Sequence, residues 1–194
     1  MSLSRLTIII PTFYPGKIIK KCLASLPPVS EIIIIDNGED PELEKIIKLQ
    51  KLRIKHYKVG DIGLSKSFNI ALNKSKNENI LITQPDVYFE KNSILNLMKA
   101  QNKYKKVGII SPLLFEKKKY SKYDYLDLSL SKLGNLKKIK KQKKINIPPS
   151  GDICVEAVNA TAMLIKKSII KKINGWDENI YTYHEDVDLC LRLR

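Results

Sequence analysis

No stretch of the chain approaches the roughly 18 to 20 consecutive apolar residues that a membrane-spanning helix needs, and no basic stretch followed by an apolar signal core opens the sequence. A cytosolic protein is the expectation. Cysteine is scarce and odd in number: Cys22, Cys154 and Cys190 stand far apart, which speaks against a disulfide framework or zinc site and for reduced thiols acting as small core residues. Glycine is sparse too. Gly60 and Gly63 do not make the dinucleotide fingerprint, and no glycine-rich loop ends in Gly-Lys-Ser/Thr. A nucleotide bound here needs some other means of neutralising its phosphates. His184 has no second histidine near it in sequence, so a histidine metal site is not indicated.

Acidic residues are outnumbered, 20 against 35 Lys and Arg, for a formal net charge of +15. Most of that excess reads as a solvated lysine surface. The run Lys137-Lys138-Ile139-Lys140-Lys141-Gln142-Lys143-Lys144 is denser, and clustered lysines each add about 1 kcal/mol of attraction to an anionic membrane. Peripheral contact with such a membrane, on its inner face, is the expectation. Nucleic acid ranks lower, because the run lacks interleaved aromatics or arginines.

At 194 residues the chain suits one domain with a single sizeable core. Short isoleucine-rich runs alternate with amphipathic segments, the pattern of a parallel sheet covered by helices. Strands are predicted at Leu6–Ile10, stopped by Pro11, then at Ile32–Ile35, Arg53–Val59, Asn79–Thr83, Val107–Ile110 and Ile153–Ile165. Helices are predicted over Lys17–Leu26, Glu42–Leu52, Ser65–Lys74 and Ser93–Tyr104, with a last one from Glu185. Periodicity fails from Phe115 to Pro149, predicting a mobile, lysine-rich insertion over 115–149. Arg194 falls inside the last predicted helix, so the 1–194 domain is expected to be cut short at its C-terminus.

In an open parallel sheet, ligands bind beyond the carboxyl ends of the strands. Polar residues collect there: Pro11-Thr12 after the first strand, Asp36-Asn37 after the second, Asp61 and Gly63 after the third, Asp86 after the fourth. Each alone is an ordinary turn former, but four strand ends in register point to a site. A divalent metal, Mg²⁺ or Mn²⁺, held by an aspartate after a strand is one way to neutralise a diphosphate, since hard cations bind carboxylate and phosphate oxygens together; Asp86 is the best-placed candidate. A second constellation is Gly175-Trp176-Asp177-Glu178 with Glu185-Asp186-Val187-Asp188-Leu189-Cys190-Leu191-Arg192. Acidic residues in a helix's first turn are favoured by its dipole, yet the cluster is unusually acidic for so basic a chain.

Five pieces in order resemble family 2 glycosyltransferases of the GT-A fold: Thr7-Ile8-Ile9-Ile10-Pro11-Thr12-Phe13, Ile32 to Gly38, Gly63 to Asn69, Gln84-Pro85-Asp86-Val87, and the Gly175 and Glu185 segments. The resemblance implies an α/β, Rossmann-like single domain with a mostly parallel sheet flanked by helices. It also implies an inverting transfer of sugar from a nucleotide-diphosphate sugar to a glycan or lipid-linked acceptor, in cell-surface polysaccharide or glycan synthesis. Pro11, Thr12, Asp36, Asn37, Gly63 and Asn69 would form the donor side, Asp86 would hold the metal, Asp186 would be the general base, and Glu185 would orient the base or the acceptor. The string Glu185 to Cys190 looks most like rhamnosyltransferases, implying dTDP-rhamnose as one candidate donor.

The sequence departs from the family at Gln84, where its metal motif usually has an acidic residue or Asn, and at Asp61, which is more often Asn. A nucleotidyltransferase of similar fold lacks its expected glycine-rich, basic N-terminal loop here. A catalytically silent nucleotide-sugar-binding fragment is the main alternative, ahead of a basic nucleic-acid-binding protein.

Overall fold

The computed structural model describes residues 3–104, 106–115, 123–124, 128–130, 136–138, 151–152, 154–155 and 157–194. Four strands, β1 (Leu6–Thr12), β2 (Glu31–Asp36), β3 (Ile54–Lys58) and β4 (Asn79–Thr83), alternate with α1 (Ile19–Ser25), α2 (Pro41–Lys48) and α3 (Leu64–Lys74). Then come α4 (Ser93–Lys103), β5 (Ile109–Ile110), β6 (Leu114–Phe115), β7 (Tyr123–Asp124), β8 (Leu128–Leu130), β9 (Leu136–Lys138) and β10 (Ala162–Lys166). The chain closes with α5 (Lys167–Lys172) and α6 (Glu185–Arg192).

The main sheet has six strands in the order β3-β2-β1-β4-β10-β5. The ladders joining β1 to β2, β1 to β4 and β2 to β3 are parallel, and β10 runs antiparallel to both β4 and β5. After β1 the chain builds outward through β2 and β3, then crosses back to place β4 on the other side of β1. That reversal makes the carboxyl ends of β1 and β4 the topological switch point, where such sheets open a crevice.

Isoleucine runs are buried on both faces because successive strand side chains point to opposite sides. One layer collects Ile8, Ile10, Ile32, Ile34 and Leu81 under α1, α2 and α4, and the other collects Ile9, Ile33, Ile35, Ile80 and Ile82 under α3, α5 and α6. The edge strand β3 is only half-buried and carries Lys55 and Lys58, charges that discourage a further strand from pairing there.

Pro11 does not stop β1, which runs on to Thr12 and stays paired with β2 through Thr12↔Asp36. The β4 ladder already ends at Ile9↔Ile82, so at Pro11 the strand borders only β2. The long strand expected from Ile153 shrinks to Ala162–Lys166. Just before it, Asn159 Oδ1 accepts the Thr161 N–H at 2.9 Å, a local turn that competes with extension. Cys22 and Cys190 are buried as expected, whereas Cys154 is exposed. Within the expected 115–149 insertion, β6 pairs with β7 and β8 with β9. The rest of that insertion, including most of the lysine run, lies outside the described residues. Among the described residues, no helix is long and apolar enough to cross a membrane.

Candidate functional site

The loops leaving β1, β2 and β3 are tied into one assembly. Asn37 N donates to Thr12 O at 2.9 Å, its side-chain Nδ2 reaches the same carbonyl at 3.4 Å, and Val59 N donates to Asp36 O at 3.1 Å. Asn37 Oδ1 accepts from Ile62 N at 3.4 Å and from Ser67 Oγ at 2.9 Å. Ser67 Oγ also lies 2.6 Å from Gly63 O, so one hydroxyl proton serves two acceptors in turn.

Asp36 is fully buried. Its Oδ1 accepts from Gly38 N at 3.2 Å and its Oδ2 from Asp40 N at 3.0 Å, with His56 Nε2 3.1 Å from Oδ2. The same turn starts α2, where Asp40 Oδ1 caps Glu42 N at 2.8 Å and Pro41 follows as the first helical residue. Asp36 therefore shapes the rim of the crevice from within. The sequence pattern missed His56, whose position facing Asp36 follows from the β2–β3 register, Ile34↔His56 and Ile35↔Tyr57. Pro11 and Thr12 are buried beside it, and Thr12 Oγ1 lies 3.3 Å from Ile35 O.

Gly63 begins α3 with φ +81°, and a Cβ there would stand 2.5 Å from Tyr181 O. That close approach lets Leu64 N donate to Tyr181 O at 2.8 Å. The Tyr181 hydroxyl donates to Asp61. Six residues along, Asn69 clamps the Gly175-Trp176 turn. Its Oδ1 accepts Trp176 N at 2.9 Å, and its Nδ2 donates to Trp176 O at 2.9 Å and Glu178 Oε1 at 3.0 Å. Gly175, at φ +77°, has room for no Cβ because Asn69 Oδ1 would lie 2.5 Å away. So α3 holds the segment that leads into α6 at both ends, and Asn69 spends its amide on that segment.

Glu185 and Asp186 open α6 and are both buried. Asp186 is anchored: Oδ2 accepts Ala160 N at 3.0 Å and Oδ1 accepts Val187 N at 2.8 Å. Glu185 differs, because its Oε2 is buried without a hydrogen-bond partner among the described residues. Burial first, and the neighbouring Asp186 charge after it, raise the Glu185 carboxyl above its ordinary range. Asp188 pairs with Arg192, Oδ2 lying 2.8 Å from Nε and 2.7 Å from Nη2. Arg192 Nη1 also donates to Ile173 O at 2.7 Å and Gly175 O at 2.8 Å. Asp188 is thus structural, as the helical spacing suggests.

Asp86 is exposed in the turn after β4, where Val87 N donates to Gln84 O at 3.2 Å. It lies near Cys22, whose thiol is pushed up to about 12 by burial and secondarily by the Asp86 charge. No group of three or more His, Cys, Asp or Glu side chains poised for a metal occurs among the described residues. One exposed carboxylate fits an ion that shares its coordination with ligand phosphates and waters, not a cage built by protein alone. At the opposite edge of the sheet, an open hollow of about 330 Å³ is lined by Glu31, Arg53, Lys55 and Lys76 among others, away from all these residues.

A parallel sheet with its switch point at β1 and β4, closed by an antiparallel β10 and edged by polar strand-end loops, is the GT-A architecture. Residues 7–170 match the Glycosyl transferase family 2 profile, and the chain belongs to that family. It is 24% identical over 200 residues to the low-salt glycan biosynthesis hexosyltransferase Agl10 of Haloferax volcanii, covering 99% of this chain and 62% of that protein. It is 28% identical over 192 residues to the rhamnosyltransferase WbbL of Escherichia coli (strain K12), covering 90% and 71%. Among solved structures it is similar to the mannosyltransferase PcManGT from Pyrobaculum calidifontis, in complex with GDP-Man and Mn²⁺, with a TM-score of 0.66 and 14% identity, covering 95% of this chain and 50% of that one. Staphylococcus aureus TarS 1–349 gives a TM-score of 0.62 at 16% identity, covering 97% and 55%. The chain therefore spans about half the length of these structures and 62% of the haloarchaeal protein.

Proposed function

We propose that this chain is the donor-binding part of an inverting glycosyltransferase, taking a nucleotide-diphosphate sugar into the crevice at the carboxyl ends of β1 and β4. The observation that carries the reading is the buried Glu185-Asp186 pair at the start of α6, one carboxylate anchored by two backbone N–H groups and the other with an oxygen that has no partner among the described residues. The nucleoside lies against the rim formed by Pro11, Thr12, Asp36, Asn37 and Gly63. Asp36 and Asn37 act mainly by fixing the shape of that rim, and Asn69 acts at one remove by holding the Gly175 turn. Asp86 would hold Mg²⁺ or Mn²⁺, and the ion would supply Lewis-acid stabilisation to the departing diphosphate.

Asp186 is the general base. Two backbone N–H groups fix its position, and each oxygen keeps a lone pair for an incoming hydroxyl. It takes the hydroxyl proton as the acceptor oxygen bonds to the anomeric carbon. The bond from that carbon to the diphosphate oxygen breaks, the diphosphate leaves with the electron pair, and configuration inverts. Glu185, whose Oε2 is buried without a partner among the described residues, orients the acceptor through that oxygen once the acceptor is in place. A deoxyhexose donor such as dTDP-rhamnose is favoured by the likeness to the Escherichia coli rhamnosyltransferase. Glycan synthesis, with a glycan or lipid-linked acceptor, is favoured by the likeness to the haloarchaeal glycan-biosynthesis enzyme. Contact of the lysine run with anionic membrane rests on sequence alone.

The test is thermal stability of the chain with UDP, GDP and dTDP, each with and without Mn²⁺. A ligand at 100 times its Kd stabilises the folded state by about 2.7 kcal/mol, so one nucleotide diphosphate should raise the midpoint strongly and only with metal. A chain unmoved by all three nucleotides would refute the reading.

A further inference from the structure

Large aromatic side chains left in water are uncommon away from binding surfaces, and here their placement is uneven. Five aromatics among the described residues are exposed: Phe13, Tyr14, Tyr88, Tyr181 and Tyr183. Phe13 and Tyr14 follow β1, Tyr88 follows β4, and Tyr181 and Tyr183 lie on the segment tied to the start of α3. All five thus rim the carboxyl end of the sheet. The others described in side-chain detail, Phe68, Phe89, Tyr57, Tyr104 and Trp176, are buried or half-buried.

Tyr181 is already occupied, through its hydroxyl on Asp61 and its carbonyl on Leu64 N. Tyr183 is not. It is the most exposed of the five at 79%, and neither its ring nor its hydroxyl has a partner among the described residues. Its backbone is nonetheless specified. Tyr183 and His184 are consecutive non-glycine residues in the left-handed region, at φ +63° and +69°. Such a conformation persists only where the surroundings over-determine it. Here the determinants are the Tyr181 tether on one side and the anchored Asp186 on the other. The outcome is a bare ring two residues before Glu185.

We propose that Tyr183 is the platform on which the acceptor's sugar ring stacks. A pyranose carries an apolar face of C–H bonds beside its hydroxyls, and the electron-rich face of a tyrosine attracts polarised hydrogens while shedding its own hydration. The inference rests on the reading of Glu185 and Asp186 as the acceptor-side carboxylates. A ring carried on a specified backbone two residues before Glu185 lets a sugar bind face-on while its hydroxyl meets the base. Stacking gives a use to a ring that the fold leaves exposed on a specified backbone.

The probes are methyl α-L-rhamnoside, methyl α-D-mannoside and methyl β-D-N-acetylglucosaminide, titrated into the whole chain and followed by saturation-transfer NMR. Wild type should transfer saturation from tyrosine ring protons to one face of at least one glycoside. Tyr183→Phe should keep that affinity, and Tyr183→Ala should weaken it roughly threefold to tenfold, with its thermal midpoint and its stabilisation by nucleotide diphosphate unchanged. The proposal is overturned if Tyr183→Ala binds as wild type does, if Tyr88→Ala is the variant that loses binding, or if wild type binds none of the three. Nucleotide stabilisation is the separate arm: glycoside binding without it would defeat the donor-site reading and leave Tyr183 standing.

Discussion

Glu185 and Asp186 are adjacent, equally buried and acidic, yet the fold treats them differently. Asp186 has two backbone donors, and Glu185 has an oxygen with none. Replacing Asp186 with Ala should cost about 1–3 kcal/mol, because the Ala160 N–H loses its acceptor; chemical denaturation measures this. Glu185→Gln should do the opposite at neutral pH, stabilising by on the order of 1 kcal/mol, since it removes a buried charge without a partner. The pH dependence fixes the sign. The folded-state pKa of Glu185 lies above its ordinary value of 4.5, so the buried carboxylate is a burden above that folded-state pKa and neutralises as pH falls through it. The advantage of Glu185→Gln should shrink over that window and vanish near 4.5. In a longer version of the chain that transfers sugar, Asp186→Asn should lower turnover by about 100-fold to 10,000-fold, with donor affinity intact. Near-normal transfer by Asp186→Asn beside collapse in Glu185→Gln would move the base to Glu185.

At the scale of elements, α3 is the strut between the loop after β2 and the segment that leads to the Glu185-Asp186 pair. Its first turn meets Asn37 through Ser67 and Tyr181 through Leu64, and its second holds the Gly175 turn through Asn69. Asn69→Ala should therefore weaken the segment leading to α6, lowering stability by about 1–2 kcal/mol and raising hydrogen exchange at Trp176 N–H. Gly175→Ala should cost more, because it adds a left-handed backbone penalty of about 1–2 kcal/mol to a collision with Asn69. Strand positions were legible from the isoleucine runs because two buried faces leave no alternation to misread. The stop at Pro11 was misjudged because proline's cost depends on which neighbour it faces, and pairing is not visible in one strand. The partners of Asn69 are not visible in the sequence either, because only the fold brings Trp176 against it.

Across the whole molecule, charge is divided between two edges of one sheet. At the amino edge Glu31 is buried; burial alone would raise its carboxyl, but Lys55, Lys76 N and Thr7 together leave it below its ordinary range. Its contribution to stability is present above 4.5 and lost as pH falls through the lowered folded-state value. Glu31→Gln should flatten the acid limb of the stability curve, as read by thermal midpoints at successive pH values. The carboxyl edge reads as a candidate site in the sequence because polar residues recur at four strand ends. The split between Asp186 and Glu185 was not, since it depends on Ala160, 26 residues away. The proposed function requires that edge to bind a diphosphate through Asp86. The most direct measurement is calorimetric titration of wild type and Asp86→Ala with the preferred nucleotide diphosphate and its nucleoside, each with and without Mn²⁺. Asp86→Ala should abolish the metal-dependent gain for the diphosphate and leave nucleoside affinity unchanged. An undiminished metal-dependent gain in Asp86→Ala would contradict the proposed function.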